Sequence, residues 1–222
     1  MHRPFADRAD AGRALAAHLQ HYARRNDVVV LGLPRGGVPV AYEVACALDA
    51  PLDVLVVRKL GVPWQRELAM GAIASGDALY VNEELLRETD VGQPEFERVL
   101  AEEKAQLARR EALFRDPQRA HVDVANRIAI VVDDGLATGA SMTAAARALR
   151  TRAPVKIVAA LPVAPYDAQA RIGSDVDEFV CVLTPEHFFS VSQFYSDFSE
   201  TTDDDVRAIL ARASSASGSP SS

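Results

Sequence analysis

Two cysteines in 222 residues, Cys46 and Cys181, are too few and too far apart for a disulfide framework or a thiolate metal site. Each lies in an apolar run and reads as a buried, reduced thiol, which fits a cytoplasmic protein. Basic charge is in deficit: 24 Lys plus Arg stand against 31 Asp plus Glu, a net charge of −7. That balance argues against a nucleic-acid scaffold while leaving room for a local basic patch. Long hydrophobic runs are also missing. The longest uncharged stretch, Gly135 to Ala146, falls well short of the roughly 18 apolar residues of a membrane helix, so no membrane partner is expected. The first residues, Met1 to Arg8, lack the apolar core of a secretory signal. No internal repeat and no interdomain linker is visible, and the length suits one domain.

What is present is alternation. Residues 7–24 place Ala11, Leu15, Ala16, Leu19 and Tyr22 at helical spacing, and 28–33 is a continuous run without polar residues, Val and Leu but for Gly32, of the kind buried on both faces of a parallel sheet. A helix over 38–48 follows, with Pro39 in its first turn and Pro51 past its end. Residues 53–57 read as a strand, 58–77 as a loop rich in Gly and polar residues that holds Trp64, and 79–81 as a further strand. Asn82 can cap a short helix, and 94–115 predicts a long charged one with Phe96, Val99, Leu100, Leu107 and Phe114 on one face. Strands at 128–132, 155–161 and 179–183 enclose a helix at 140–150. Such alternation implies right-handed βαβ crossovers, hence an α/β fold with an open, mostly parallel sheet and helices on both faces. The domain is expected over 1–212, with a disordered Ser-rich tail over 213–222.

The segment Ile128-Ala-Ile-Val-Val-Asp133-Asp134-Gly-Leu-Ala137-Thr138-Gly139-Ala140-Ser141 is a strand, two acids at its carboxyl end, a small-residue turn and a helix start. Ligands of open parallel sheets sit at that end of the strands. The turn exposes successive N–H groups where the helix dipole favours an anion, and Thr138 and Ser141 add hydroxyls, so a phosphate fits without a lysine. The neighbouring carboxylates suit vicinal hydroxyls of a ribose. Helix capping alone would need one acid, not two. No Gly-x-x-x-x-Gly-Lys-Ser/Thr loop and no Gly-x-Ser-x-Gly elbow is present, and Gly135 stands where an Asp-x-Asp phosphatase needs its second acid. After the first strand, Pro34-Arg35-Gly36-Gly37 offers a close backbone approach to an anion and a bidentate cation, although Arg-Gly-Gly can also be a simple turn.

Position by position, the segment 128–141 resembles the phosphoribosyl-pyrophosphate (PRPP) motif of type I phosphoribosyltransferases. The resemblance implies that fold, with a small hood element at about 162–203. It also implies transfer of 5-phosphoribose from PRPP to a nitrogenous base with release of pyrophosphate, aided by Mg²⁺. It assigns Asp133 and Asp134 to the ribose and to waters of the metal, residues 137–141 to the 5-phosphate, and Arg35, Gly36, Gly37 and the basic pair Arg58-Lys59 to pyrophosphate. Residues 60–73 correspond to the family's closing loop, with Trp64 and Arg66 as candidate inward residues. Ala137 departs from relatives that use 6-oxopurines, which carry an acid there, so a hypoxanthine or guanine role is disfavoured. The aromatics Phe188, Phe189 and Tyr195 are candidates for stacking on the acceptor, with core packing as the alternative. A homodimer is the family expectation. Some proteins of this fold keep the site as a nucleotide sensor and bind RNA or a protein, and Arg109, Arg110 and Arg119 would be the patch for RNA. The Pro-Arg-Gly-Gly loop also resembles that of DNA-uptake accessories of the superfamily, without the zinc-type cysteines some of them carry. The histidines His18, His21, His121 and His187 have no metal-ligand spacing beyond the weak His18–His21 pair.

Overall fold

Runs of Val, Ile and Leu without polar interruption have no face to give to water, and the computed structural model buries them as strands of one sheet; it describes residues 5–114 and 121–216. In chain order the elements are α1 (Arg8–His18), β1 (Val28–Gly32), α2 (Gly37–Leu48), β2 (Leu52–Val54), β3 (Val57–Val62), β4 (Gln65–Ala74), β5 (Ala78–Val81), α3 (Glu83–Thr89) and α4 (Gln93–Ala112). There follow β6 (Ile128–Val132), α5 (Ala140–Arg150), β7 (Lys156–Val163), α6 (Ala168–Ile172), β8 (Glu178–Leu183) and α7 (Asp203–Ala216). Five strands pair in parallel in the order β2-β1-β6-β7-β8, the open α/β sheet the alternation implies.

Strand alternation sends Val28 and Val30 of β1 to one face and Val29 and Leu31 to the other. The first face packs against Val40, Val44 and Leu48 of α2, the second against Met142, Ala145 and Leu149 of α5. Each fully buried Val or Leu contributes about 1.5–3 kcal/mol, so both faces hold the sheet strongly. From β1 the chain crosses to β2 on one side, and from β6 to β7 on the other. The carboxyl ends of β1 and β6, adjacent in the sheet, therefore border a crevice with α2 and α5 on opposite faces. Their register aligns Gly32 with Val132, and Leu33 N–H donates to Val132 O at 2.9 Å, so the two following loops leave at one level.

Three expectations are corrected. The stretch expected as a loop over 58–77 is mostly the antiparallel β3–β4 hairpin, which joins β5 in a second, three-stranded sheet. Leu60, Met70 and Ile73 of the hairpin face α4, and Ala72 and Ala74 face α5. Glycines and a register shift at Gly61 break the alternation that would have revealed these strands. The residues 213–216, expected in the tail, are helical in α7, while 217–222 lie outside the described residues. Cys46 is exposed because α2 turns Val44, Ala45 and Leu48 inward and leaves the intervening position to solvent; both cysteines are free. Among the described residues, no helix is long and apolar enough to cross a membrane.

Candidate active site

β6 delivers Asp133 and Asp134 to the crevice, and the turn that follows enters α5 through Gly139 at φ +83°, a backbone conformation that side chains resist. A Cβ there would also meet Ile172 Cγ2 at 2.9 Å. Ala137, Thr138, Ala140 and Ser141 are exposed at the helix amino terminus, with Ala140 N–H reaching Thr138 Oγ1 at 3.4 Å. A concavity of about 190 Å³ is bounded by Asp133, the turn, Met142 and Val191. The start of a helix and two hydroxyls around such a hollow form a cradle suited to an anion.

The second loop, Leu33 to Gly36, stands directly beside the acids. A Cβ on Gly36 would lie 1.9 Å from Asp134 Oδ2 and 3.2 Å from Arg8 Nε, and one on Gly37 would lie 2.6 Å from Val132 O. Glycine there lets the loop lie flat against the acid pair. The Pro34–Arg35 peptide is cis. Arg35 pairs with Glu200 and, at 3.8 Å, with Asp203. Asp134 Oδ2 accepts from Arg8 Nε at 2.9 Å, and Asp133 Oδ1 accepts from Asp134 N–H at 2.9 Å.

Burial pushes the Asp133 carboxyl well above the usual carboxylate range, and the Asp134 charge pushes it further. Asp134 is raised by burial too, against the pull of the Arg8 guanidinium. The crevice thus concentrates two acids whose charge is poorly solvated until a ligand supplies donors.

The structure brings Asp133, Asp134, residues 137–141 and the loop of Arg35, Gly36 and Gly37 together. Arg58 and Lys59 line a separate concavity with Arg66, Arg98 and Glu102, where Arg58 is bonded to Glu103 of α4 at 2.7 Å and Lys59 pairs with Glu67 at 3.7 Å. Trp64, in the turn between β3 and β4, and Arg66 are exposed. Of the hood aromatics, Phe189 is 89% exposed and Phe188 stacks on Phe194 at 5.6 Å. Tyr195 is only 7% exposed, packed against Phe5 and Phe198, and its hydroxyl donates to Asp134 O at 2.5 Å. It supports the acid pair and has no open face for a base. Burial raises its hydroxyl above the usual tyrosine range.

Two residues that no motif signals also reach the site. Arg8 comes from the first turn of α1, and Arg171 of α6, oriented by Asp167, donates to Ala137 O at 3.2 Å. Nothing local marks either one, because each approaches across the fold. Of the basic patch, Arg110 turns toward Asp203 and lies over the Phe114 ring at 5.0 Å, and Arg119 lies outside the described residues. Among the described residues no group of three or more His, Cys, Asp or Glu is placed to hold a metal ion.

The sequence matches the phosphoribosyl transferase domain over residues 6–199. Two Mycobacterium tuberculosis proteins, from strains CDC 1551 / Oshkosh and ATCC 25618 / H37Rv, are each provisionally named a phosphoribosyl transferase. Both are 48% identical over 209 residues, covering 94% of this chain and 47% of their own. The chain thus spans about half the length of the curated relatives it matches. Among solved structures, the protein TT1426 from Thermus thermophilus shares the fold with a TM-score of 0.85 and 41% identity, covering 94% of this chain and 98% of that one.

Proposed function

The chain belongs to the phosphoribosyl transferase domain family, and from that premise we propose that it transfers 5-phosphoribose from PRPP to a nitrogenous base, with release of pyrophosphate. The observation that carries this reading is one juxtaposition: the Asp133-Asp134 pair lies between an anion cradle at the start of α5 and a glycine loop that touches Asp134. Those are the three groups that a phosphate, a ribose and a pyrophosphate in one molecule would require.

Residues 137–141 hold the 5-phosphate through N–H groups and the hydroxyls of Thr138 and Ser141. Each such charge-assisted bond contributes about 1.5–3 kcal/mol. Asp133 and Asp134 accept from the ribose hydroxyls and fix the sugar. Gly36 and Gly37 let the loop backbone approach the pyrophosphate closely, the Gly37 N–H itself being held by Leu33 O at 3.0 Å, and Arg35 exchanges Glu200 for it, withdrawing charge as the C–O bond breaks. Arg58 and Lys59 would act on pyrophosphate by giving up Glu103 and Glu67, as Arg35 gives up Glu200. The hairpin tip with Trp64 and Arg66 supplies the cover that keeps water from the glycosyl cation. Phe188 and Phe189 offer rings to a flat acceptor.

The donor set fits Mg²⁺. Arg8 and a backbone N–H each take one carboxylate oxygen, and a Mg²⁺ ion bound mainly by substrate phosphates and water needs only one or two carboxylates nearby. When bound, it neutralises the leaving pyrophosphate, with Asp133 and Asp134 reaching it through waters. Calorimetric titration with PRPP, with and without Mg²⁺, tests the reading. Saturable, Mg²⁺-dependent heat is expected, followed by pyrophosphate release in a screen of nucleobases. The absence of binding at millimolar PRPP overturns it.

A further inference from the structure

The Arg8–Asp134 ion pair is among the most enclosed in the molecule, with the two side chains 12% and 15% exposed. An ion pair out of water adds little net stability, because desolvating both charges offsets their attraction. Its position is more telling than its strength. Arg8 is held from three directions: Nε donates to Asp134 Oδ2 at 2.9 Å, Nη1 donates to Ser199 O at 2.7 Å, and the guanidinium lies 4.0 Å over the Phe198 ring. The carboxyl it grips is pressed against Gly36, where a Cβ would collide with it.

We propose that Arg8 is a positioning residue for sugar binding: it locks the Asp134 carboxylate in one orientation, Oδ2 against the glycine loop, so that the remaining acceptor sites point to the ribose hydroxyls. This rests on the phosphoribosyl reading of the crevice. An Asp side chain at the end of a strand is otherwise free to rotate about two bonds, and a hydroxyl pair is recognised only by a carboxylate held still. The Asp134 backbone is fixed separately, by the Tyr195 hydroxyl on its carbonyl. Arg8 follows the segment 5–6 and Tyr195 lies in the segment 194–197 that precedes α7, and those two segments are laced together. Phe5 N–H donates to Phe194 O at 2.8 Å, Ser196 N–H to Phe5 O at 2.7 Å, and Asp197 N–H to Ala6 O at 2.9 Å. The guanidinium thus reaches Asp134 from a rigid support.

The test compares wild type with Arg8→Met, Arg8→Lys, Asp134→Asn and the Arg8→Met/Asp134→Asn double variant. Calorimetry is run with PRPP plus Mg²⁺, with ribose 5-phosphate, and with pyrophosphate plus Mg²⁺. Arg8→Met is expected to weaken PRPP and ribose 5-phosphate by about tenfold or more, the worth of a charge-assisted bond, with pyrophosphate unchanged. In the Asp134→Asn background the same substitution should add no further loss. Arg8→Lys, which keeps the charge without the planar fork, should fall between, and it carries the comparison if thermal unfolding shows that Arg8→Met does not fold. Wild-type affinity for ribose 5-phosphate in the folded Arg8 variant overturns the proposal. So does an equal loss for pyrophosphate, which would make Arg8 a general source of positive potential, and so does a loss that adds to that of Asp134→Asn. If wild type binds none of the three probes, the phosphoribosyl reading itself fails; if it binds them and the Arg8 variants bind equally well, only the role of Arg8 does.

Discussion

Between Ile128 and Ser141 the backbone of the anion cradle is continuous in sequence, a strand, an acid pair, one glycine at positive φ and a helix start, with only Arg171, Ile172 and Val191 reaching it from elsewhere. The cover beside it is assembled in the opposite way. Arg8 and Asp134 are 126 positions apart, Arg8 and Ser199 are 191 apart, and Arg35 and Glu200 are 165 apart. The cradle is thus a local device that backbone geometry imposes, while the cover is a set of long-range contacts that orients and neutralises what the cradle presents. Damage to the first should remove binding groups outright, whereas damage to the second should loosen groups that are still there.

The greatest loss should come from the chemistry the two regions share. On the proposed phosphoribosyl reading, Asp134→Asn and Arg35→Ala should each lower turnover by ~10²-fold or more with the fold intact. Steady-state kinetics beside circular dichroism would measure this, and wild-type turnover would remove both residues from the site. Next is Gly37→Ala, whose Cβ would lie 2.6 Å from Val132 O and 2.8 Å from Asp133 Cα, backbone atoms that cannot swing away. It should destabilise the protein by ~1–3 kcal/mol, the usual range for overpacking, in denaturant unfolding. Thr138→Ala removes a single donor from the cradle and should weaken PRPP by ~1–2 kcal/mol in calorimetry. An unchanged dissociation constant would place the phosphate elsewhere.

Tyr195→Phe acts on the cover alone. It leaves the Asp134 carbonyl without its hydroxyl donor and should cost ~1 kcal/mol of stability, read as a shifted urea midpoint. A still smaller change runs the other way. Because the Asp133 carboxyl is raised in the folded state, folding takes up protons, so the stability this group allows is fully present below its ordinary value of 3.8 and is lost as pH rises past it toward the folded value. Asp133→Asn should therefore raise the melting temperature at neutral pH, with the gain vanishing below pH 3.8. A gain of the same size at every pH would mean that burial of charge is not its source.

Legibility in the sequence followed the same division. Residues 128–132 and 140–150 were readable to the residue because an unbroken apolar run and a small-residue turn leave the backbone few choices. The β3–β4 hairpin was not, since its apolar residues are divided between two helices and interrupted by Gly61, Pro63 and Gly71. The separate pairing of Arg58 with Glu103 and of Lys59 with Glu67 belongs to that missed hairpin. Tyr195 looked like a platform for a base because composition marks an aromatic but not which side of it is covered.

Short-range chemistry in the chain was enough to dictate the strands of a parallel sheet, the acid pair and the small-residue turn into α5, because each depends on residues within one turn or strand of one another; the crevice between β1 and β6 needed the sheet order. Long-range packing alone settled that Arg8 grips Asp134, that Arg35 is held by Glu200 and that Tyr195 lies beneath the acids. Those contacts join parts of the chain whose proximity is set by sheet order and by the lacing of residues 5–6 to 194–197, and no short-range pattern of residues carries that information.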